Sequence, residues 1–284
     1  MANLKEIRNR ISSVSSTMQI TSAMKMVSAA KLKKAQDAIT AMRPYSDKLT
    51  QMLVDLSSSV DFENEFLQAR KVENVLVVCI TSNRGLCGAF NSNVIKECIE
   101  LSNSSSDPVS FFCIGKKGND ILSKKHNVIE SNNEIFDDLT FENISIIADL
   151  LMKKYLDKEF DKIHVVYNKF KNAATQIVTK EQFLPIENNT SNDLEKGSSD
   201  YIFEPSQIEI ISELIPKSLK TQLYKSTRDS YASEHGARMT AMHKATDNAT
   251  ELRDQLKLTY NKARQAAITN EILEIVGGAE ALNG

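Results

Sequence analysis

MHKATDNATELRDQLKLTYNKARQA, residues 242–266, decides how the chain is to be read. Met242, Ala245, Ala249, Leu252, Leu256, Thr259, Ala263 and Ala266 step by 3, 4, 3, 4, 3, 4 and 3, the spacing of a helix packed along another helix. Upstream, from Ser206 onward, the only breakers are Pro216 and Gly236, and downstream Gly277 and Gly278 are expected to stop the helix. Roughly 70 helical residues would run about 105 Å at the rise of an α-helix.

The other terminus carries a matching pattern. Leu4, Ile7, Ile11, Val14 and Met18 step by 3, 4, 3 and 4, and the seam reads as resuming after a phase slip at Ile20, Ala23, Val27 and Ala30. The first glycine is Gly85 and the only earlier breaker is Pro44, so the segment is expected to be helical to about Leu56, roughly 80 Å. With no other long helix to receive either seam, the two are expected to pair antiparallel, the C-terminal helix outrunning its partner by roughly 20 Å. Its tip, NKARQAAITNEILEIVGGAEAL (261–282), sets Ala263, Ala266, Ala267, Ile268, Ile272, Leu273, Ile275 and Val276 on nearly every side of a helical wheel. One partner helix could not cover that surface, which implies an enclosing sleeve of other protein.

Between the helices the pattern changes to continuous apolar runs, VLVVCIT (75–81), SFFCIG (110–115) and KIHVVYN (162–168), which read as strands buried on both faces. Helices are expected at 90–101, 116–125 and 141–157, giving a β-α-β order and an open, mainly parallel sheet. TQIVTKEQFLPI (175–186) reads as a further strand, YIFEP (201–205) as a strand leading into the last helix, and ENNTSNDLEKGSSD (187–200) as a polar loop. The fold class is therefore α/β with long helices: an antiparallel coiled coil of the terminal helices plus a Rossmann-like domain. The expected divisions are 1–57, 72–205 and 206–284.

Composition narrows the function. A net charge of −2 argues against a general nucleic-acid binder, although residues 1–57 hold nine Lys/Arg against four Asp/Glu. No apolar run approaches the roughly 18 residues of a bilayer span, and the start MANLKEIRNR carries no secretory pattern, so a cytosolic address is expected. Cys79, Cys87, Cys98 and Cys113 lack CxxC spacing and the four histidines are scattered, so free thiols and no metal are expected. SNRGLCGAFNSN (82–93) stands where a phosphate-binding turn would sit, but it has neither GxGxxG nor GK[ST]. It reads instead as a tight turn in which Gly85 and Gly88 relieve strain and Arg84 meets a neighbouring surface. Lys31, Lys33 and Lys34 read as a solvated face that could also meet an acidic partner. No nucleophile–base set is visible, and no catalytic residue or cofactor is expected.

Three long stretches carry a resemblance: LKEIRNRISSVSSTMQITSAMKMVSAAKLKKAQ at the start, SNRGLCGAFN, and ASEHGARMTAMHKATDNATELRDQLKLTYNKARQAAITNEILEIVGGAEAL near the end. Over its whole length the chain resembles the gamma-subunit family of the F-type rotary ATP synthases. The resemblance implies a central shaft inside a ring of three alpha and three beta subunits, coupling ion flow to ATP synthesis or hydrolysis. It implies further contacts with an epsilon subunit and a membrane ring of c subunits. By the same resemblance Arg264, Gln265 and Thr269 meet the beta subunits near the tip. Met24 lies near an acidic beta element, with Lys31, Lys33 and Lys34 beside it by charge, and Tyr201 and Glu204 approach the membrane ring. The family often has an acid where this chain has Asn83, and the cysteine-bearing insertion of the plant plastid form is absent. A bacterial chain, peripheral on the cytoplasmic side of the inner membrane, is the expected setting. The rival readings are a non-rotating coiled-coil scaffold and a nucleotide-binding α/β enzyme with helical arms.

Overall fold

The computed structural model describes residues 4–57, 65–186, 204 and 206–283, the side chains at 47, 50, 53–57, 207 and 280–283 excepted. The loop expected at 187–200 and the strand expected at 201–205 lie outside the described residues, Tyr201 included and Glu204 excepted. In order the elements are α1 (Leu4–Ser57), β1 (Val75–Ile80), α2 (Phe90–Ser104), β2 (Val109–Ile114), α3 (Lys116–Leu122), β3 (Asn127–Asn132), a 3-10 turn (Glu134–Phe136), α4 (Phe141–Leu156), β4 (Lys162–Phe170), β5 (Gln176–Leu184) and α5 (Gln207–Asn283). Two compact units emerge, one of Met1–Ser28 with Met239–Gly284, the other of Ala29–Arg238.

In the larger unit a five-stranded sheet runs β3-β2-β1-β4-β5, parallel except for the β4–β5 hairpin. All six residues of β1 are buried because it is central and covered on both faces, which is why it reads as an unbroken apolar run. On one face Ile144, Ile147, Leu151 and Tyr155 of α4 and Ile211, Ile215, Leu219 and Leu223 of α5 pack over Leu76, Val78, Ile80 and Val165. Their spacings of three, four, seven and eight place each set on one side of its helix. On the other face Val94, Ile95 and Cys98 of α2 and Leu122 of α3 cover Val77, Cys79 and Cys113. Parallel neighbours need crossover helices, and α2 between β1 and β2 and α4 before β4 supply them.

β3 was not foreseen. NVIESN has only two apolar residues and no buried one, because an edge strand has one partner and benefits from polar side chains that discourage further pairing. At the next strand end Gly115 adopts φ +100°, and a Cβ there would sit 2.1 Å from the Thr81 carbonyl oxygen. Only glycine lets β2 turn into α3 this close to β1.

In the smaller unit α1 and α5 are antiparallel. Thr246 Oγ1 donates to Thr21 Oγ1 at 2.8 Å, Thr250 Oγ1 lies 3.3 Å from Met18 Sδ, and Arg8 Nη2 donates to the Tyr260 hydroxyl at 2.7 Å. As the numbers rise on one helix they fall on the other, so the register is constant. Two corrections to the sequence reading follow. The seam of α1 has no phase slip: Leu4, Ile7, Ile11, Val14, Met18, Thr21, Lys25, Ser28, Leu32, Ala35 and Ile39 are all buried or half-buried, in steps of 3 and 4. Ile20, Ala23, Val27 and Ala30 are exposed. Thr21 and Ser28 occupy inward positions, so the apolar residues beside them gave the wrong phase. On α5 the inward positions are Met242, Thr246, Ala249, Arg253, Leu256, Tyr260 and Ala263, whereas Leu252, Thr259 and Ala266 are exposed. A third correction concerns the end of α5, which continues through Gly277 and Gly278 to Asn283. Good helix formers, Ala279, Glu280, Ala281 and Leu282, follow the two glycines, and the roughly 1 kcal/mol that each glycine costs does not break the ladder.

Leu32→Ala, at a buried inward position, should lower the unfolding free energy of the full chain by about 2–4 kcal/mol, and Val27→Ala by less than about 0.5 kcal/mol, both read by urea unfolding. Gly115→Ala should cost at least about 3 kcal/mol by the same measurement, because it meets both a left-handed φ and a backbone oxygen.

Candidate functional site

The turn between β1 and α2 is bound from both sides. Ser82 N donates to Asn91 Oδ1 at 2.9 Å, Ser82 Oγ to the Arg84 carbonyl at 2.7 Å, and Asn91 Nδ2 to Cys87 Sγ at 3.2 Å. Burial pushes the Cys87 thiol up in pKa, against the opposing influence of Ser82 and Arg238. Of the two glycines credited with relieving strain, only Gly88 has a positive φ, +60°; Gly85 does not, and Leu86 takes the second left-handed position at φ 61°. The Leu86 side chain is 65% exposed, so its local backbone strain is borne without packing against the core.

α5 holds this turn by its backbone. Arg238 Nη2 donates to the Arg84 carbonyl at 3.0 Å and the Gly85 carbonyl at 3.3 Å, while Nη1 binds Glu234 Oε1 at 2.6 Å. Both ends of the ion pair are buried, and Ala237 packs on Cys87 and Phe90 beneath them. Burial raises the Glu234 pKa, opposed first by Arg238 and then by Lys31 and Arg84. His235, buried one residue on against the Tyr231 ring, is pushed down to about 3 by burial and by the charges of Arg238 and Lys31, so it is neutral at physiological pH. Arg238 alone pairs with the Glu234 carboxylate, while the charges of Lys31 and Arg84 act on it from further off. Three cations against one anion leave a positive spot whose outer members, Lys31 and Arg84, are exposed.

Glu234 and Arg238 were not singled out from the sequence, although ASEHGARM holds the signal: an acid and an arginine four apart among small residues are placed to pair on a buried helix face.

At the strand ends the amides that could cradle a phosphate already have acceptors. Lys116 N donates to Asn83 Oδ1 at 3.0 Å, Lys117 N to the Ser82 carbonyl at 3.1 Å, and Gly118 N to Thr81 Oγ1 at 2.8 Å. Asn83 Nδ2 meanwhile donates to the Asn133 carbonyl at 2.6 Å, a bond that a carboxylate at this position could not make.

The third surface is the end of α5. Arg8 lies beside Tyr260, and from Arg264 to Ala279 every residue is exposed. Ile268, Ile272, Leu273, Ile275 and Val276 spread over roughly 160° of the helix, and Arg264, Glu271 and Glu274 form a charged strip on the remainder. Gln265 and Thr269, four apart, share the apolar side, the Thr269 hydroxyl donating to the Gln265 carbonyl at 2.9 Å; Arg264 falls on the charged strip. Met24 is half-buried, Lys33, Lys34 and Glu204 are exposed, and Lys31 and Lys34 lie one turn apart on α1. Among the described residues no helix is long and apolar enough to cross a membrane.

A coil of terminal helices with an apolar helix end, and a sheet whose strand-end amides serve the protein itself, define a class of protein that works through contact with other chains. Residues 3–282 match the family model described as ATP synthase. The chain belongs to the ATP synthase gamma chain family. It is 70% identical over 287 residues to the ATP synthase gamma chain of Flavobacterium johnsoniae and 69% to that of Flavobacterium psychrophilum, each alignment covering 100% of both chains. It is 44% identical to the gamma chain of Geobacter sp. strain M21, again over 100% of both. The fold is similar to a chain in the Euglena gracilis mitochondrial ATP synthase, with a TM-score of 0.73 and 23% identity, covering 98% of this chain and 94% of that one. A central stalk and c-ring structure from Tetrahymena thermophila contains a chain with a TM-score of 0.60 and 25% identity, covering 80% of this chain and 99% of that one.

Replacing Arg238 by Ala strips the Arg84 and Gly85 carbonyls of a donor and leaves Glu234 buried and unpaired. The expected loss is about 3–5 kcal/mol of stability. Glu234→Gln with Arg238 intact should cost less, since the glutamine oxygen still accepts; equal losses in chemical unfolding would contradict this account.

Proposed function

We propose that the chain is the central rotor shaft of a bacterial F-type ATP synthase, turning inside three alpha and three beta subunits and linking them to a membrane ring of c subunits, with an epsilon subunit on its α/β unit. The observation that carries this reading is the exposed apolar end of α5 beyond the last contact with α1. Ile, Leu and Val over roughly 160° of a lone helix require cover, and a ring of subunits supplies it on several sides at once. The smaller unit supports the same view: Ile7, Met242 and Ala249 are its only buried apolar side chains among the described residues, too few to hold a free-standing two-helix coil. Gln265 and Thr269 on the apolar side and Arg264 on the charged strip are assigned to the beta subunits, as is Met24. Lys31, Lys33, Lys34 and Arg84 suit an acidic partner by charge. Tyr201 and Glu204 are assigned to the membrane ring.

In this reading the chain carries no catalytic group. Its asymmetric faces present a different surface to each beta subunit in turn, biasing each toward a different nucleotide affinity, so that rotation and binding are linked. It is peripheral, on the cytoplasmic side of the inner membrane. A fixed scaffold would need the same pairing of helices but would tolerate being cross-linked to its neighbours.

Deleting residues 262–284 should lower ATP-driven torque in the assembled complex, measured by single-molecule rotation; unchanged torque would remove the tip from the mechanism. Joint reversal of Lys31 and Arg84 to Glu should weaken coupling between ATP hydrolysis and ion pumping in membrane vesicles, with the effect reduced by high salt. A pumping ratio equal to that of the native chain would remove the positive spot from the partner surface.

A further inference from the structure

Where α5 packs on the β4–β5 hairpin in the larger unit, within reach of the charge of Arg43 on α1, it buries a carboxyl that the shaft reading does not use. Asp229 is 3% exposed, and its Oδ1 is buried without a hydrogen-bond partner. Charged groups face it from every element around it: Lys225 one turn back on α5, Arg43 on α1, Lys169 near the end of β4 and Glu181 on β5. Glu181 is held in place by the Tyr167 hydroxyl, which donates to its Oε1 at 2.7 Å, and Tyr167 is itself pushed up in pKa by burial and by Glu181 and Asp229.

The balance among these groups is uneven. Arg43 and Lys169 are exposed at their own positions, so their charges act across a boundary where water competes. Glu181 is a like charge. Oδ1 receives no donor that would favour the ionised form. Loss of hydration is the largest influence, and Asp229 is raised to about 6 despite the three cations.

We propose that Asp229 is a proton-operated joint holding α1 and the β4–β5 hairpin to α5, tight when its carboxyl is protonated and slack when it is ionised. Protonation removes a buried charge and the repulsion from Glu181, and gives the side chain an O–H to donate within the protein. Ionisation restores the hydration demand, which is met by opening the packing around Asp229 to water. The linkage has one sign. Between the ordinary carboxylate value and about 6 the closed form keeps a proton that the opened form gives up, so closure strengthens as pH falls through that window and is weakest above it. Under the shaft reading the two long helices are gripped more firmly in acid. The joint itself rests only on the geometry of the larger unit.

Hydrogen exchange on the full chain in its assembled complex tests the joint without reference to rotation. Protection of α1 residues 39–49 and of the β4–β5 hairpin, corrected for intrinsic exchange, should rise as pH falls from 8 to 5, by about 10-fold, the rise setting in near pH 6. Asp229→Asn, which cannot ionise, should be protected at every pH, with no such rise. Arg43→Met, on an exposed site, should shift the onset of the rise to higher pH by removing a cation that favours the ionised form. A pH dependence unchanged by Asp229→Asn, or an onset unmoved by Arg43→Met, would overturn the proposal; the second variant decides the matter where the first fails to fold.

Discussion

The constraint on which the rest depends is that two helices of unequal reach can cover each other only as far as the shorter one goes. Arg8 beside Tyr260 lies near that limit. Upstream, the inward positions are filled by small or polar side chains, Thr21, Ser28, Thr246 and Ala249, which allow the helices to come close but remove little apolar area from water. Such a seam fixes register better than it supplies stability: the Thr21–Thr246 hydroxyl pair makes its bond only when the helices are correctly aligned. Beyond the limit the helix exposes isoleucine, leucine and valine, and the chain relies on its surroundings.

The larger unit solves a different problem. A parallel sheet ends in backbone donors that commonly receive an anion, and here Thr81, Ser82 and Asn83 consume them in succession. The adjoining turn spends its backbone on Arg238 and leaves the Arg84 and Leu86 side chains facing outward. An architecture suited to small molecules has its strand-end amides committed internally and presents side chains on the neighbouring turn.

What could be read from the sequence follows where the physics is local and apolar. VLVVCI, SFFCIG and KIHVVYN are recognisable because central strands covered on both faces permit little besides apolar side chains. The helices were legible because glycine and proline are scarce. β3 was hidden because an edge strand tolerates polar residues on both sides. Leu4 to Met18 on α1 and Met242, Ala249, Leu256 and Ala263 on α5 face inward as the spacing predicts, but the rest of each seam was misjudged for a related reason: Thr21 and Ser28 on α1, and Arg253 on α5, fill inward positions, while Ile20, Val27 and Leu252 beside them point out. Surplus apolar residues on an outward face mislead periodicity wherever that face has an appetite for another chain. Lys31 and Arg84 were each visible as cations, but only the fold shows that the charges of both reach Glu234.

The uninterrupted alternation of three and four along α1 has a mechanical corollary. A seven-residue repeat falls short of two full turns of a straight α-helix, so a pair that keeps its seam in contact winds into a left-handed rope. A rope laid in one hand does not answer twist symmetrically: twisting with the lay draws the strands together, and twisting against it parts them. The paired helices of residues 4–28 and 239–263 therefore have one stiff and one compliant sense of torsion, a built-in polarity that a straight rod would lack.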